Sequence, residues 1–156
     1  MHPPLCIVGP SDAGKTTLLE SLVAELADAG RVGTIKSIHH DIEIDTPGKD
    51  THRHRTAGAD TVVGLTPSLS FEITSSGKTE ADSEGALLES TVDDLQAAGY
   101  EFILIEGFHT APYPKLVVGD RPATPPVVAR GPPAALDVSA LATAMIEGTL
   151  LDADPV

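Results

Sequence analysis

The run Gly9-Pro10-Ser11-Asp12-Ala13-Gly14-Lys15-Thr16 fits G-x-x-x-x-G-K-[ST] without a gap. That is the spacing of a loop that cradles phosphate. Backbone N–H groups of such a loop, with the open N-terminus of the helix behind it, form a concave anion site. Gly9, Ser11, Asp12, Ala13, Gly14, Lys15, Thr16 and Thr17 are therefore the expected nucleotide-binding residues. Lys15 would place a positive charge at the β and γ phosphates, and Thr16 would offer its hydroxyl to Mg²⁺. A second Gly-Lys-Thr, at Gly77-Lys78-Thr79, lacks the first glycine of the motif, because position 72 is Glu72. It reads as a turn.

Two further segments could serve the same chemistry. Ile103-Leu104-Ile105-Glu106-Gly107 is an apolar strand that ends in an acid. A carboxylate beside a phosphate loop can order Mg²⁺ or its waters, so Glu106 joins Thr16 as a metal candidate. The densest polar stretch runs from His39-His40-Asp41 to Lys49-Asp50-Thr51-His52-Arg53-His54-Arg55 and holds four of the six histidines. Its clustered bases in an acidic chain suggest that an anion docks there. Asp50, at a helix start, could position a water or Mg²⁺, and Arg53, one turn on, could reach a γ-phosphate. The anion expected in this stretch is either the nucleotide or a phosphorylated partner ligand. Zinc is a weaker reading of the histidines, since no cysteine accompanies them and their spacing fits no strong ligand pattern. His109 follows Gly107-Phe108 with an open role.

The elements that must position these groups alternate. Leu5 to Val8 is a short apolar run, expected as a buried strand ahead of the glycine loop. Leu18, Leu19, Leu22, Val23 and Leu26 recur at helical spacing, predicting a helix from about Lys15 to Ala29 that stops at Gly30. Val32 to Ile38 reads as a second strand, His39 to Lys49 as a loop, and Asp50 to Ala57 as a short helix ended by Gly58. Thr61 to Leu65 reads as a strand. Leu69, Phe71 and Ile73 alternate with polar residues, as in a half-exposed strand. Asp82 or Ser83 caps a helix with Leu87, Leu88, Thr91, Val92 and Leu95 on one face, ended by Gly99. Phe102 to Ile105 is apolar throughout, as a strand deep in a parallel sheet should be. Leu116 to Val118 and Val127 to Ala129 are short strands, expected near a sheet edge or framing a loop because of the prolines around them. Leu136, Leu141, Met145 and Ile146 mark a last helix. Strand–helix alternation implies an α/β fold: a P-loop NTPase-like three-layer sandwich with a mostly parallel sheet, residues 1–156 forming one nucleotide-binding domain.

Three stretches together resemble the molybdopterin-guanine dinucleotide biosynthesis protein B family (MobB). They are GPSDAGKTTLLESL, IKSIHHDIEIDTPGKDTHRHRTAGA and FILIEGFHTAPYPKLVV, in the family's order, over about the first 118 residues. The middle one is the most specific: a lysine after the second strand, a histidine pair, an Asp-x-Pro-Gly-Lys-Asp run and an Arg-x-x-Gly-Ala ending. The resemblance implies a dimeric GTP-binding adaptor in molybdenum cofactor assembly. It would use GTP and Mg²⁺, hydrolyse GTP weakly, and work beside the guanylyltransferase that joins GMP to molybdopterin. On that reading His39, His40 and Lys49 receive the pterin phosphate or the partner. Asp50-Thr51-His52-Arg53 is also similar to the switch segment of signal-recognition-particle GTPases, which makes Asp50 and Arg53 candidate γ-phosphate sensors by analogy. One departure stands out. There is no Asn-Lys-x-Asp base-reading motif, and Asp120 or Asp137 would have to serve, so guanine preference is carried by the resemblance alone. A small-molecule kinase is the rival reading, disfavoured by only five arginines and no long lid insertion. A metal-delivery GTPase is another.

The totals bound these readings. One domain of 156 residues can hold a proper core. A formal net charge of −13 disfavours binding to nucleic acid or to anionic membrane. No apolar run approaches the roughly 18 residues of a membrane span. The N-terminus lacks a basic stretch before an apolar run, so no secretory signal is expected and the cytoplasm is the expected location. Cys6 is the single cysteine and is expected in the core. Few lysines, many aspartates and abundant alanine read as adaptation to a salty cytoplasm. The thermal midpoint should then rise with KCl; a flat or falling midpoint across a KCl series would reject that adaptation.

Overall fold

The computed structural model describes residues 1–152. Its elements are β1 Leu5–Val8, α1 Lys15–Leu26, β2 Val32–Lys36, α2 Asp50–Thr56, β3 Thr61–Leu65, β4 Ser70–Thr74, α3 Glu84–Ala97, β5 Phe102–Glu106, β6 Lys115–Val118, β7 Val127–Gly131 and α4 Val138–Glu147. The described residues divide into two compact units, residues 1–37 with 91–152 and residues 38–90.

The first unit is built on a five-stranded sheet in the order β2-β5-β1-β6-β7, with every pairing parallel. Parallel neighbours need crossovers, and α1 supplies the one after β1. All four residues of β1 and of β6 and all five of β5 are buried, which is why these strands carry continuous apolar runs. Side-chain parity divides them. Leu5 and Ile7 of β1, Phe102 and Leu104 of β5, and Leu116 and Val118 of β6 pack with Leu18, Leu22 and Leu26 of α1 and with Ala142 and Met145 of α4. The three leucines of α1 stand four residues apart, one turn each, and bury a single stripe. Full burial of each contributes about 1.5–3 kcal/mol. The acid Glu106 shares the parity of Phe102 and Leu104, so the strand's own alternation sends it to the α1 side.

Several boundaries differ from the sequence expectation. Helix α1 stops at Leu26 rather than Ala29; Ala29 and Gly30 N–H groups both return to the Leu26 carbonyl, a tightened last turn. Strand β2 ends at Lys36 rather than Ile38, after Ser37 N–H donates once more to the Glu106 carbonyl. Strand β7 runs on to Gly131. The prolines do leave β7 at the sheet edge, yet β6 sits inside the sheet and is fully buried. Ser83 caps α3, its Oγ accepting from Ala86 N–H at 3.0 Å. Gly77-Lys78-Thr79 lies in a turn, as expected.

The second unit holds α2, the antiparallel hairpin β3–β4 and the first residues of α3. In the hairpin Val62 faces Ile73 and Gly64 faces Phe71. A Cβ on Gly64 would come within 2.2 Å of the Phe71 ring, so the aromatic ring lies over the glycine. Val63, Leu65, Leu69 and Phe71 are exposed. The loop before α2 is clasped by Asp45, which accepts from Thr51 Oγ1 at 2.8 Å and pairs with Arg55 at 3.6 Å.

Two polar groups are sunk in the first unit's sheet. Cys6 is fully buried, and burial pushes its thiol up to about 12. Its neighbour in register, Lys115, is also fully buried. The Lys115 ammonium donates to the carbonyls of Ala111 and Tyr113, and burial lowers its pKa. These bonds answer the cost of a buried cation and tie the β5–β6 loop to its own strand. With the thiol protonated and closed off, Ellman's reagent at pH 8 should leave Cys6 unmodified in the native protein and label it fully in guanidinium. Rapid native-state labelling would overturn this placement.

Candidate functional site: a phosphate loop with an acid and a lysine

The loop from Gly9 to Gly14 leaves β1 at the carboxyl end of the sheet, where ligands of open α/β folds bind. Its shape depends on residues the motif dictates. A Cβ at Gly9 would strike the Val118 carbonyl oxygen at 2.5 Å. Asp12 and Gly14 have left-handed φ of 59° and 92°. Gly14 is also the N-cap of α1 and brings no side chain to the helix amides. Those amides, with the helix dipole behind them, face the loop as anion donors. Lys15 Nζ donates to the carbonyls of Gly9 at 2.9 Å and Pro10 at 2.7 Å, so the loop is wrapped around its own ammonium. Ser11, Asp12, Thr16 and Thr17 are exposed and Ala13 is half-buried.

Glu106 closes the other side. Ile7 is its register partner in β1, which sets the acid beside the start of the loop. Its side chain is 10 % exposed, and both carboxylate oxygens accept from Thr16 Oγ1 at 3.2 Å. Octahedral Mg²⁺ with ligands at about 2.1 Å spaces neighbouring oxygens about 3 Å apart. The hydroxyl and the carboxylate are hard oxygen donors at close to that separation, so Thr16 and Glu106 fit the metal they were expected to hold.

Lys36 completes this cluster. It is the last residue of β2 and the register partner of Glu106, and its Nζ lies 2.7 Å from Glu106 Oε1. Sequence reasoning did not assign it a role. It enters the family likeness only as the lysine ahead of the histidine pair, without a role, whereas it is the charged end of the strand next to the one ending in Glu106. The signal available was two adjacent strand ends of opposite charge, visible only once β2 and β5 are known to pair.

Behind Glu106 the chain turns sharply. Gly107 and Phe108 have positive φ of 103° and 58°. A Cβ on Gly107 would meet Ser37 Cβ at 2.8 Å, so only glycine lets the β2 and β5 ends approach this closely. His109 is exposed, and its backbone carbonyl accepts from Thr124 Oγ1 at 3.0 Å. Of the two candidate base readers, Asp137 is engaged as the N-cap of α4, accepting from Ala140 N–H at 3.0 Å, and Asp120 is exposed. Arg121 reaches the loop, donating to the Gly9 carbonyl at 3.5 Å.

The remaining candidates lie in the second unit. His39, His40, Lys49, Asp50 and Arg53 are all exposed. Asp50 opens α2 and Arg53 lies one turn on, and both line an open groove of about 680 Å³ with Gly48, His52 and His54. His52 Nδ1 accepts from Gly48 N–H at 3.3 Å. Among the described residues no three His, Cys, Asp or Glu side chains gather as a metal site. Also among them, no helix is long and apolar enough to cross a membrane.

Strain and contact coincide at Gly107, which predicts a large effect of one methyl group. Gly107→Ala should cost about 1–3 kcal/mol of stability. Gly148→Ala, with φ of 72° and nothing within 4 Å of its Cβ, should cost less. Calorimetric melting of the two variants checks the order; equal losses would remove the Ser37 contact from the account.

The chain has counterparts among known proteins. The family model for molybdopterin guanine dinucleotide synthesis protein B matches residues 4–143. The molybdopterin-guanine dinucleotide biosynthesis adapter protein of Haemophilus influenzae is 35% identical over 127 residues, 80% of this chain and 67% of that protein. Its Escherichia coli namesake is 33% identical over 161 residues, 95% of this chain and 89% of that protein. A crystal structure of Bacillus subtilis MobB superposes with a TM-score of 0.65 at 27% identity, over 82% of this chain and 78% of that one. With the family model matching most of the chain and a relative one-third identical along nearly all of it, the chain belongs to the MobB family.

Proposed function

We propose that the chain binds GTP with Mg²⁺ and acts as an adapter in the formation of molybdopterin guanine dinucleotide, beside the guanylyltransferase that joins GMP to molybdopterin. The observation that carries this reading is the loop itself: an uncapped helix N-terminus, Lys15 inside the loop, and Thr16 on Glu106. The names of the relatives supply the pathway. Lys15 holds the β and γ phosphates, and Thr16 and Glu106 serve Mg²⁺, which neutralises phosphate charge when bound. Gly9, Ser11, Asp12, Ala13, Gly14 and Thr17 complete the cradle.

Asp50 and Arg53 belong to a switch-like segment and act as γ-phosphate sensors, by analogy with signal-recognition-particle GTPases. His39, His40 and Lys49 receive the pterin phosphate or the partner enzyme. The exposure of these five side chains supports such roles, while Arg55 in the same stretch is occupied by Asp45. GTP hydrolysis is slow, because no glutamine or arginine finger is identified to orient water or steady the leaving charge. The protein works as a homodimer. A lone two-stranded hairpin is marginal in water, and the apolar side chains exposed on β3 and β4 support a second copy covering them. The acidic composition, with a net charge of −13, suits a cytoplasm rich in KCl.

Calorimetry with GTP and ATP in Mg²⁺ buffer tests the reading. Wild type should prefer GTP. Lys15→Ala should lose about 1.5–3 kcal/mol of binding, the scale of charged hydrogen bonds, which is roughly 10- to 100-fold. Equal binding of ATP would detach the guanine assignment and favour a kinase; binding of neither nucleotide would reject the site.

A further inference from the structure

Three cations stand in the first unit's loop region, two of them on loop carbonyls and one on a carboxylate. Lys15 is committed to the Gly9 and Pro10 carbonyls, and Arg121 leans on the Gly9 carbonyl. Lys36 alone among these three rests on an acid, Glu106. Its position follows from sheet order. β2, β5 and β1 are consecutive neighbours, so Lys36, Glu106 and the start of the glycine loop line up along the carboxyl ends of three strands. The Glu106 oxygen that accepts from Lys36 also accepts from Thr16, the residue after Lys15. The Lys36 ammonium is therefore one carboxylate away from the open end of α1.

The two members of this pair differ in freedom. Glu106 is 10 % exposed and held by its buried strand, whereas the Lys36 side chain is 56 % exposed. An ion pair that open to water is weak, and the long lysine stem can leave it at little cost. Glu106 also creates a problem that Lys36 can solve. A carboxylate beside a triphosphate repels the terminal phosphate, and it does so more than for a diphosphate, whose charge ends one group earlier.

We propose that Lys36 reads the terminal phosphate. Its ammonium is held in reserve on Glu106 and moves to a γ-phosphate oxygen when a triphosphate occupies the loop, giving GTP its advantage over GDP. This rests on the nucleotide reading of the same loop and adds to it the residue that tells the two nucleotides apart.

The test is calorimetric affinity for GDP and for a non-hydrolysable GTP analogue, in Mg²⁺ buffer, for wild type, Lys36→Met, Lys36→Gln and Lys36→Arg. The neutral variants should keep GDP affinity within about threefold and lose the triphosphate preference by about tenfold or more, equivalent to about 1.4 kcal/mol. Lys36→Arg should retain it. The side chain is half in water, so folding should survive, and the two neutral variants check one another. An unchanged preference overturns the proposal. So does an equal loss for both nucleotides, which would make Lys36 a general phosphate contact. If wild type binds neither nucleotide, the loop reading falls and this inference falls with it; if wild type binds and the ratio does not move, only the inference falls.

Discussion

A carboxylate at the end of a buried apolar strand is the constraint around which this site is arranged. Glu106 is almost closed to water, and an ionised acid in that position needs donors. Strand parity turns it toward α1, where the Thr16 hydroxyl reaches both oxygens, and parallel pairing with β2 delivers the Lys36 ammonium. The backbone must cooperate. The chain can leave β5 at this point only by a left-handed turn at Gly107 and Phe108, and the missing Cβ of Gly107 is what lets Ser37 pass. The acid, the turn behind it and the glycine loop in front of it are thus parts of one arrangement. A side chain added at Gly107, or a strand shifted by one residue, would move the carboxylate away from Thr16.

The first unit was largely legible in the sequence because burial leaves a periodic record. Leu18, Leu22 and Leu26 announce a helix stripe, and Leu5–Val8 and Phe102–Ile105 announce strands covered on both faces. The phosphate loop was legible for a different reason: its glycines are demanded by φ at Gly14 and by close approach at Gly9. What the sequence hid were pairings between distant segments. Lys36 became meaningful only beside Glu106, and Lys115 only once its ammonium was seen to fold back on Ala111 and Tyr113. A lysine inside an apolar strand carries no local sign that its own loop will satisfy it. Asp137 illustrates the converse: its spacing left base recognition open, whereas its position before α4 makes it a cap.

The second unit obeys other rules. Among its described residues few side chains are buried, Val62 and Leu88 being the apolar ones. Local devices hold it instead: the Phe71 ring over Gly64, the Asp45–Thr51–Arg55 clasp, and the Thr61–Thr74 hydroxyl contact across the hairpin. Segments built this way sit at the low end of the stability range within a protein, where elements that must change partners are found.

That contrast explains why His39, His40, Lys49, Asp50 and Arg53 stayed candidates from sequence through structure. A buried position is constrained by volume and parity, so its residue type reports on the fold. An exposed position in a loop or on a seven-residue helix is constrained by neither. Four histidines and three Lys or Arg gathered in an otherwise acidic chain serve no packing need that the described contacts reveal, and Arg55 alone of the three bases is taken up by an ion pair. On the proposed reading, such a cluster meets a molecule outside the fold. The family relation gives that argument its direction: in an adapter, the nucleotide loop answers to phosphate chemistry and is readable from one chain, while the adapting surface answers to a second molecule and is readable only with it.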